Sequence, residues 1–178
     1  MNDLVAQGKR VQLRWKRMED ARDDYDWRAD DELARLDATV ALRLSFREYL
    51  HILEDEIRYP SPNVRRNAIE TLDGVHIGNC MSYDIDVVGG EAEVGIMVGN
   101  RDYWSQGYGS EAMVLLIEEC FKIVPLMRLY LHTLEWNERA RRAFGKCGFR
   151  EIKQVQRAGK SFVYMELLRG EWMKERVK

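Results

Sequence analysis

Two glycines, Gly107 and Gly109, flank Tyr108 in the segment 101–112 (RDYWSQGYGSEA), with Gln106 before them and Ser110 and Glu111 after. The residues before it, 91–98 (EAEVGIMV), read as a strand. Residues 107–123 then carry Met113, Leu116, Ile117, Cys120 and Phe121 at helical spacing. A tight turn that opens a helix leaves several backbone N–H groups unpaired at the positive end of the helix dipole. A phosphate group fits there, and the missing glycine side chains let it approach the backbone. No Gly-Lys-Ser/Thr follows, so this is not a P-loop. The run G-x-G-x-x-G is incomplete and follows a meander, which excludes a dinucleotide fingerprint. A plain tight turn would carry the same residues, so the loop alone does not decide the chemistry.

The elements around the loop are those of a mixed α/β chain. Residues 10–15 alternate as a first strand, and residues 19–37 carry Tyr25, Trp27, Leu33 and Leu36 at roughly helical spacing. Phe46, Tyr49, Leu50, Leu53 and Ile57 predict a second amphipathic helix, which ends at the proline-containing break 59–63. Strands at 67–72, 75–87 and 91–98, joined at Asp73-Gly74 and Gly89-Gly90, form an antiparallel meander. After the 107–123 helix come a strand at 126–133, a basic helix at 135–147 closed by Gly148, and strands near 149–157 and 161–168.

Composition narrows the class. The chain has 178 residues, 46% of them hydrophobic, enough for one domain with a full core. No apolar run approaches the ~18 residues of a membrane span. A formal net charge of −2 argues against direct electrostatic nucleic-acid binding. That figure is a cancellation: residues 19–56 hold 13 acids and 5 bases, and residues 121–178 hold 6 acids and 14 bases. Cys80, Cys120 and Cys147 form no CxxC pair and no Cys/His cluster, so neither a disulfide framework nor a metal site is expected. Residues 1–10 lack the apolar core of a signal peptide, and the expected location is cytoplasmic.

A second motif gives the loop its context. Asn137-Glu-Arg-Ala140, Phe144 and Gly148-Phe149 match the pattern N-x-x-A-x-x-x-Y-x-x-x-G-F except at Phe144. With Gln106-Gly107-Tyr108-Gly109 and this element order, the chain resembles the GCN5-related N-acetyltransferases, abbreviated GNAT. Trp104 stands where the general loop has Gln or Arg, and Tyr103-Trp104 with the run 27–32 resembles the ribosomal-protein-alanine (RimJ/RimL-like) branch.

The resemblance implies a single GNAT domain over 1–178, with a mainly antiparallel mixed sheet flanked by helices and a splayed central parallel pair, here 91–98 and 126–133. It implies acetyl-CoA as donor, no metal, and a primary amine as acceptor. Ile96, Met97 and Val98 would pair with the pantetheine arm through their backbone. Gln106, Gly107, Tyr108, Gly109, Ser110 and Glu111 would hold the pyrophosphate, and Asn137 would contact the pantetheine. The amine must lose a proton before it attacks the thioester, and backbone N–H groups can stabilise the resulting oxyanion. Glu93 on the donor strand and His132 on its neighbour are the candidate bases; an imidazole titrates in the right range for that work. Both residue types also serve as ordinary strand residues. Phe144 stands where many members carry a tyrosine general acid, so either another group protonates the thiolate or it leaves unassisted, as a thiol of pKa near ~8.5 permits.

The two N-terminal helices cover the acceptor side in this family, which makes Trp27, Asp31 and Tyr49 acceptor-binding candidates. Their acids, including Asp30, Glu32, Glu54, Asp55 and Glu56, would attract a cationic acceptor or merely solvate a helix face. The first expectation is acetylation of a protein N-terminal amine. The alternatives are a polyamine or other small amine, or a non-catalytic acyl-CoA-binding sensor. Homodimers are common among related proteins.

Overall fold

A computed structural model describes residues 3–123 and 125–176; the expected domain limits at 1 and 178 lie outside the described residues. Strands β1 (Leu4–Gln7) and β2 (Val11–Trp15) form an opening hairpin. They are followed by α1 (Ala21–Ala29), α2 (Asp31–Leu36) and α3 (Phe46–Arg58). The meander β3 (Arg65–Thr71), β4 (His76–Asp86) and β5 (Glu91–Val98) leads into α4 (Tyr108–Lys122). The chain closes with β6 (Arg128–Leu134), α5 (Glu138–Lys146), β7 (Arg150–Arg157), β8 (Lys160–Leu168) and α6 (Arg169–Arg176).

All eight strands make one sheet in the order β1-β2-β3-β4-β5-β6-β8-β7. Every neighbouring pair is antiparallel except β5 and β6. That parallel pair is registered at Glu91 with Arg128, Ala92 with Leu129 and Glu93 with Tyr130. Beyond Glu93 the ladder stops, and the upper halves of β5 and β6 part. The expected fold, a mainly antiparallel sheet opened at a central parallel pair, is the one observed.

The alternation of β5 separates two jobs. Ala92 and Val94 are buried in the core with α4, whose Ala112, Met113, Leu116, Ile117 and Cys120 pack on that face of the sheet. Glu91, Glu93, Gly95 and Met97 take the opposite face, level with Tyr83 and Asn79 of β4. Helix α1 lies on this second face, where the Asn79 amide donates to Asp24 at 2.6 Å. No helix of the described residues is long and apolar enough to cross a membrane.

Four local readings change. The strand β1 was not foreseen: it is four residues long and folds back at Gly8, whose N–H donates to Val11 at 2.8 Å. The helical stretch 19–37 is broken at Asp30, whose backbone is extended and whose carboxylate caps α2 by accepting from the Leu33 N–H at 2.8 Å. Helix α5 begins at Glu138 rather than 135, because Asn137 caps it. Helix α6 adds a closing element with no apolar periodicity to announce it.

Candidate active site

The parting of β5 from β6 opens a cavity of about 480 Å³ that runs from the glycine loop to the second face of the sheet. One wall is β5 from Glu93 to Val98; the other is β6 from Leu131 to Leu134 with Asn137, Ala140 and Phe144 of the α5 region. At its floor the two candidate bases meet: His132 Nδ1 lies 2.8 Å from Glu93 Oε1, both side chains buried. The register explains the meeting. Glu93 pairs with Tyr130 at the last rung, so His132, two residues on, leans over the point where the strands separate.

Aromatic rings surround this pair. Tyr164 and Tyr130 lie edge-on to the imidazole at 5.2 and 6.0 Å between centroids. Tyr83 lines the same cavity from β4, where the register sets it beside Glu93. Burial first, and then the charge of Glu93, push the Tyr83 phenol well above its ordinary range, so it stays protonated. The same two causes raise Tyr130 to about 12. Phe144 also lines the cavity and packs against Phe149. The site therefore holds a phenol, on β4 instead of α5.

At the other end, Gly107 has φ +86° and caps α4, which starts at Tyr108. Helix geometry leaves the N–H groups of Tyr108, Gly109 and Ser110 with no carbonyl in their own helix. The N–H of Glu111 is different: it donates to the Gly107 carbonyl at 3.0 Å. Glu111 also turns its carboxylate away, accepting from Arg10 Nε at 3.0 Å and from the Arg10 N–H at 2.8 Å. The backbone N–H of Glu111 is thus occupied by its own helix and its carboxylate by Arg10, the residue before β2. Arg10 donates onward to the Gln106 carbonyl at 2.6 Å, and its guanidinium lies 5.2 Å over the Tyr108 ring. Neither Gln106 nor Tyr108 lines the cavity with its side chain: the Gln106 amide bonds back to Asp102, and Tyr108 packs on Tyr103. Gly109 packs closely on β5, since a Cβ there would stand 3.2 Å from Val98 Cγ2.

Ile96, Met97 and Val98 all line the cavity. The Val98 carbonyl, however, is already taken, accepting from the Trp104 indole at 2.7 Å. Trp104 in turn lies between two guanidiniums, Arg139 at 4.2 Å and Arg101 at 5.5 Å from its ring centre. Asn137 lines the cavity, but its side-chain oxygen accepts from the Ala140 N–H at 3.2 Å.

The three acceptor candidates do not reach the cavity. Trp27 is packed on His76, 4.8 Å between ring centres, and fills the space beside Gly99. Tyr49 is 4% exposed in a small cluster with Ala21 and Leu53. Asp31 faces solvent and pairs with Arg43 at 2.6 Å. The acids around it are also matched: Asp30 and Glu32 both hold Arg101 at 2.9 Å. What α2 does bring to the cavity is its C-terminus, with Leu33, Leu36, Asp37 and Ala38. Lys160, the first residue of β8, donates to the Ala38 carbonyl at 2.8 Å.

Several of these residues were out of reach of a local motif. Arg10 lies 96 residues before Gln106, and nothing in its surroundings marks it. Tyr83 was readable in principle, since counting back across the Gly89-Gly90 turn sets it near Glu93. Among the described residues no group of three or more His, Cys, Asp or Glu is placed to hold a metal ion.

The element order, the open strand pair and the loop amides now stand together. A family model for the acetyltransferase (GNAT) domain matches residues 10–150. The chain is a GNAT-family acetyltransferase. Its fold is that of spermidine N-acetyltransferase from Vibrio cholerae, solved with CoA and spermine (TM-score 0.81, 19% identity, covering 92% of this chain and 98% of that one). It is similar too to aminoglycoside acetyltransferase AAC(6')-Ib, solved with coenzyme A (TM-score 0.76, 20% identity, covering 93% and 99%). A GNAT-family acetyltransferase from Bacillus anthracis matches at TM-score 0.75 and 15% identity, covering 92% and 97%. No curated protein sequence matches the chain. The acetyltransferase uses acetyl-CoA as donor, and its residues fit that molecule. The Gly107 turn presents free amides at a helix start, and a continuous cavity leads from them to the Glu93–His132 pair.

Proposed function

We propose that the enzyme transfers the acetyl group to a primary amine at the Glu93–His132 pair, with a peptide N-terminal amine of the RimJ/RimL-like kind as the first acceptor. The observation that carries this reading is the 2.8 Å contact between two buried basic groups at the parting of β5 and β6. Acetyl-CoA supplies a thioester carbonyl as electrophile. The amides of Tyr108, Gly109 and Ser110 bind the pyrophosphate, with Arg10 bracing the loop from behind. Backbone groups of Ile96 and Met97 align the pantetheine along the open edge of β5. An ammonium acceptor gives its proton to the Glu93–His132 pair, and the freed amine adds to the thioester carbonyl. The tetrahedral adduct then forms the amide by breaking the C–S bond, and CoA leaves as a thiolate, which a thiol of pKa near ~8.5 permits without a dedicated acid. The proton held by the pair is returned to that thiolate or to solvent. Tyr83 is the one phenol among the residues lining this cavity besides Tyr103 of the loop, and the register sets it beside Glu93.

A polyamine or other small amine is the second reading. It is favoured by Asp37 and Glu93, two carboxyl groups in one cavity, and by the shared fold of a spermidine acetyltransferase. Acetyl-CoA turnover over a panel of N-terminal peptides, polyamines and aminoglycosides separates the readings. In the same assay Glu93→Gln and His132→Ala should each lower kcat by about a hundredfold and flatten the rise in rate with pH. If both variants keep the wild-type profile, the pair is not the base. CoA binding with no turnover on any amine would favour a sensor.

A further inference from the structure

Beside the reaction centre lies a second groove, of about 440 Å³, on the face of the sheet formed by β6, β8 and β7. It shares His132 and Arg157 with the donor cavity, so the two meet at the imidazole. Alternation brings its lining to one face: His132 pairs in register with Tyr164, Tyr130 with Glu166, and Lys153 with Tyr164. Tyr130 and Tyr164 stack at 5.6 Å and form a flat apolar floor.

The charges of this groove are uneven. At one end Arg128 contacts Glu91 and lies 3.9 Å from Glu166, so those carboxylates already have a cation. Along the β7 wall, the Lys153 ammonium lies 5.4 Å over the Tyr164 ring. Neither Lys153 nor Arg157 has a carboxylate partner among the described residues. We propose that this groove is a subsite for an acceptor that carries a carboxylate near its amine, with the amine at Glu93–His132, the body on Tyr130 and Tyr164, and the carboxylate on Arg157 and Lys153. A dianionic phosphate fits less well, because Glu91 and Glu166 together outweigh the single charge of Arg128 across the groove. The inference rests on the Glu93–His132 pair being where the amine reacts. It narrows the acceptor to a peptide with an acidic residue just after its N-terminus, or to a free amino carboxylic acid, and it disfavours a polyamine.

The test is kcat/KM for matched pairs: the peptides Ala-Asp-Ala-Ala and Ala-Asn-Ala-Ala, β-alanine and its amide, with spermidine as the cationic comparison. The acidic member of a pair should lead by about fivefold or more, as one partly exposed charged contact supplies. Arg157→Gln with Lys153→Gln should erase that lead, and Arg157→Glu should turn it toward a peptide with Lys in second place. A response confined to the peptide pair assigns the carboxylate to a peptide; one confined to β-alanine assigns it to a small acid. Equal rates within both pairs, or spermidine ahead of all, would overturn the subsite. Calorimetry of the same compounds on the CoA complex gives a readout independent of turnover. Charge-dependent binding lost in the double variant, without turnover of any amine, keeps the subsite but removes the proposed reaction. Charge-blind binding removes the subsite.

Discussion

At the scale of single residues, chemistry and position parted company. Gly107, Glu93 and His132 were marked by type and spacing, and all three line the cavity. Trp27, Tyr49 and Asp31 were marked by type and by lying on the helices that the resemblance puts over the acceptor side, and the fold turns them to packing or to solvent. Residue type says what a side chain can do; only its register says what it faces. Gly107 carries the sharpest prediction. At φ +86° a β-branched residue is strained by about 1–3 kcal/mol, and its side chain would intrude on the loop beside Arg10. Gly107→Val should weaken CoA binding by about tenfold or more in calorimetry while circular dichroism stays that of the folded chain. Unchanged affinity would overturn the phosphate-loop assignment.

Among the elements, strands were more legible than helix limits. Alternation and the Asp73-Gly74 and Gly89-Gly90 turns located β3, β4 and β5 to within two residues, because one buried face writes itself into a strand with period two. The join of β5 to β6 was expected only through the family resemblance and has no local signal of its own. Parallel pairing depends on a crossover, and its end at Glu93–Tyr130 follows from twist and packing rather than from a local signal. Helix ends were hidden in caps: Asp30, Asn137 and Gly107 each begin a helix by side-chain acceptance or backbone conformation. The other end of α2 is closed by Ala38 with φ +58°, while the Thr39 N–H returns to Ala34 at 2.9 Å. An alanine is strained in that conformation, where glycine is not. Ala38→Gly should therefore raise stability by about 0.5–1 kcal/mol in urea unfolding, and a loss of stability would show that the Cβ packs there to advantage.

At the scale of the molecule, the helical layer over β2–β4 is fastened by a buried ionic knot. Arg14 donates from Nε to Glu70 at 2.6 Å and from both Nη atoms to Asp20 at 2.9 and 2.7 Å. Burial by itself would raise the Asp20 carboxyl, but Arg14, with Lys16 and the Arg17 N–H, outweighs it and holds the group down at about 2. A carboxyl lowered on folding contributes stability that is complete above its ordinary 3.8 and lost as pH falls through about 2. The melting temperature should fall over that window, and the fall should be shallower in Asp20→Asn. Arg14→Ala leaves both acids buried without their cation and should cost about 3–5 kcal/mol, read from the urea midpoint.

The opening between β5 and β6 also has a bearing on solubility. A strand with an unpaired edge is where sheets of different molecules join, and proteins guard such edges with charge, shortness or cover. The outer edges here follow that rule: β1 has only four residues, and β7 is largely exposed and carries Arg150, Glu151, Lys153 and Arg157. The two inner edges are guarded by place, since strands flank them on both sides and Trp104 caps the end of β5 through the Val98 carbonyl. A folded neighbour cannot insert a strand there, whereas a thin, flexible molecule can. The fold thus keeps an adhesive edge permanently available while denying it to other copies of the protein.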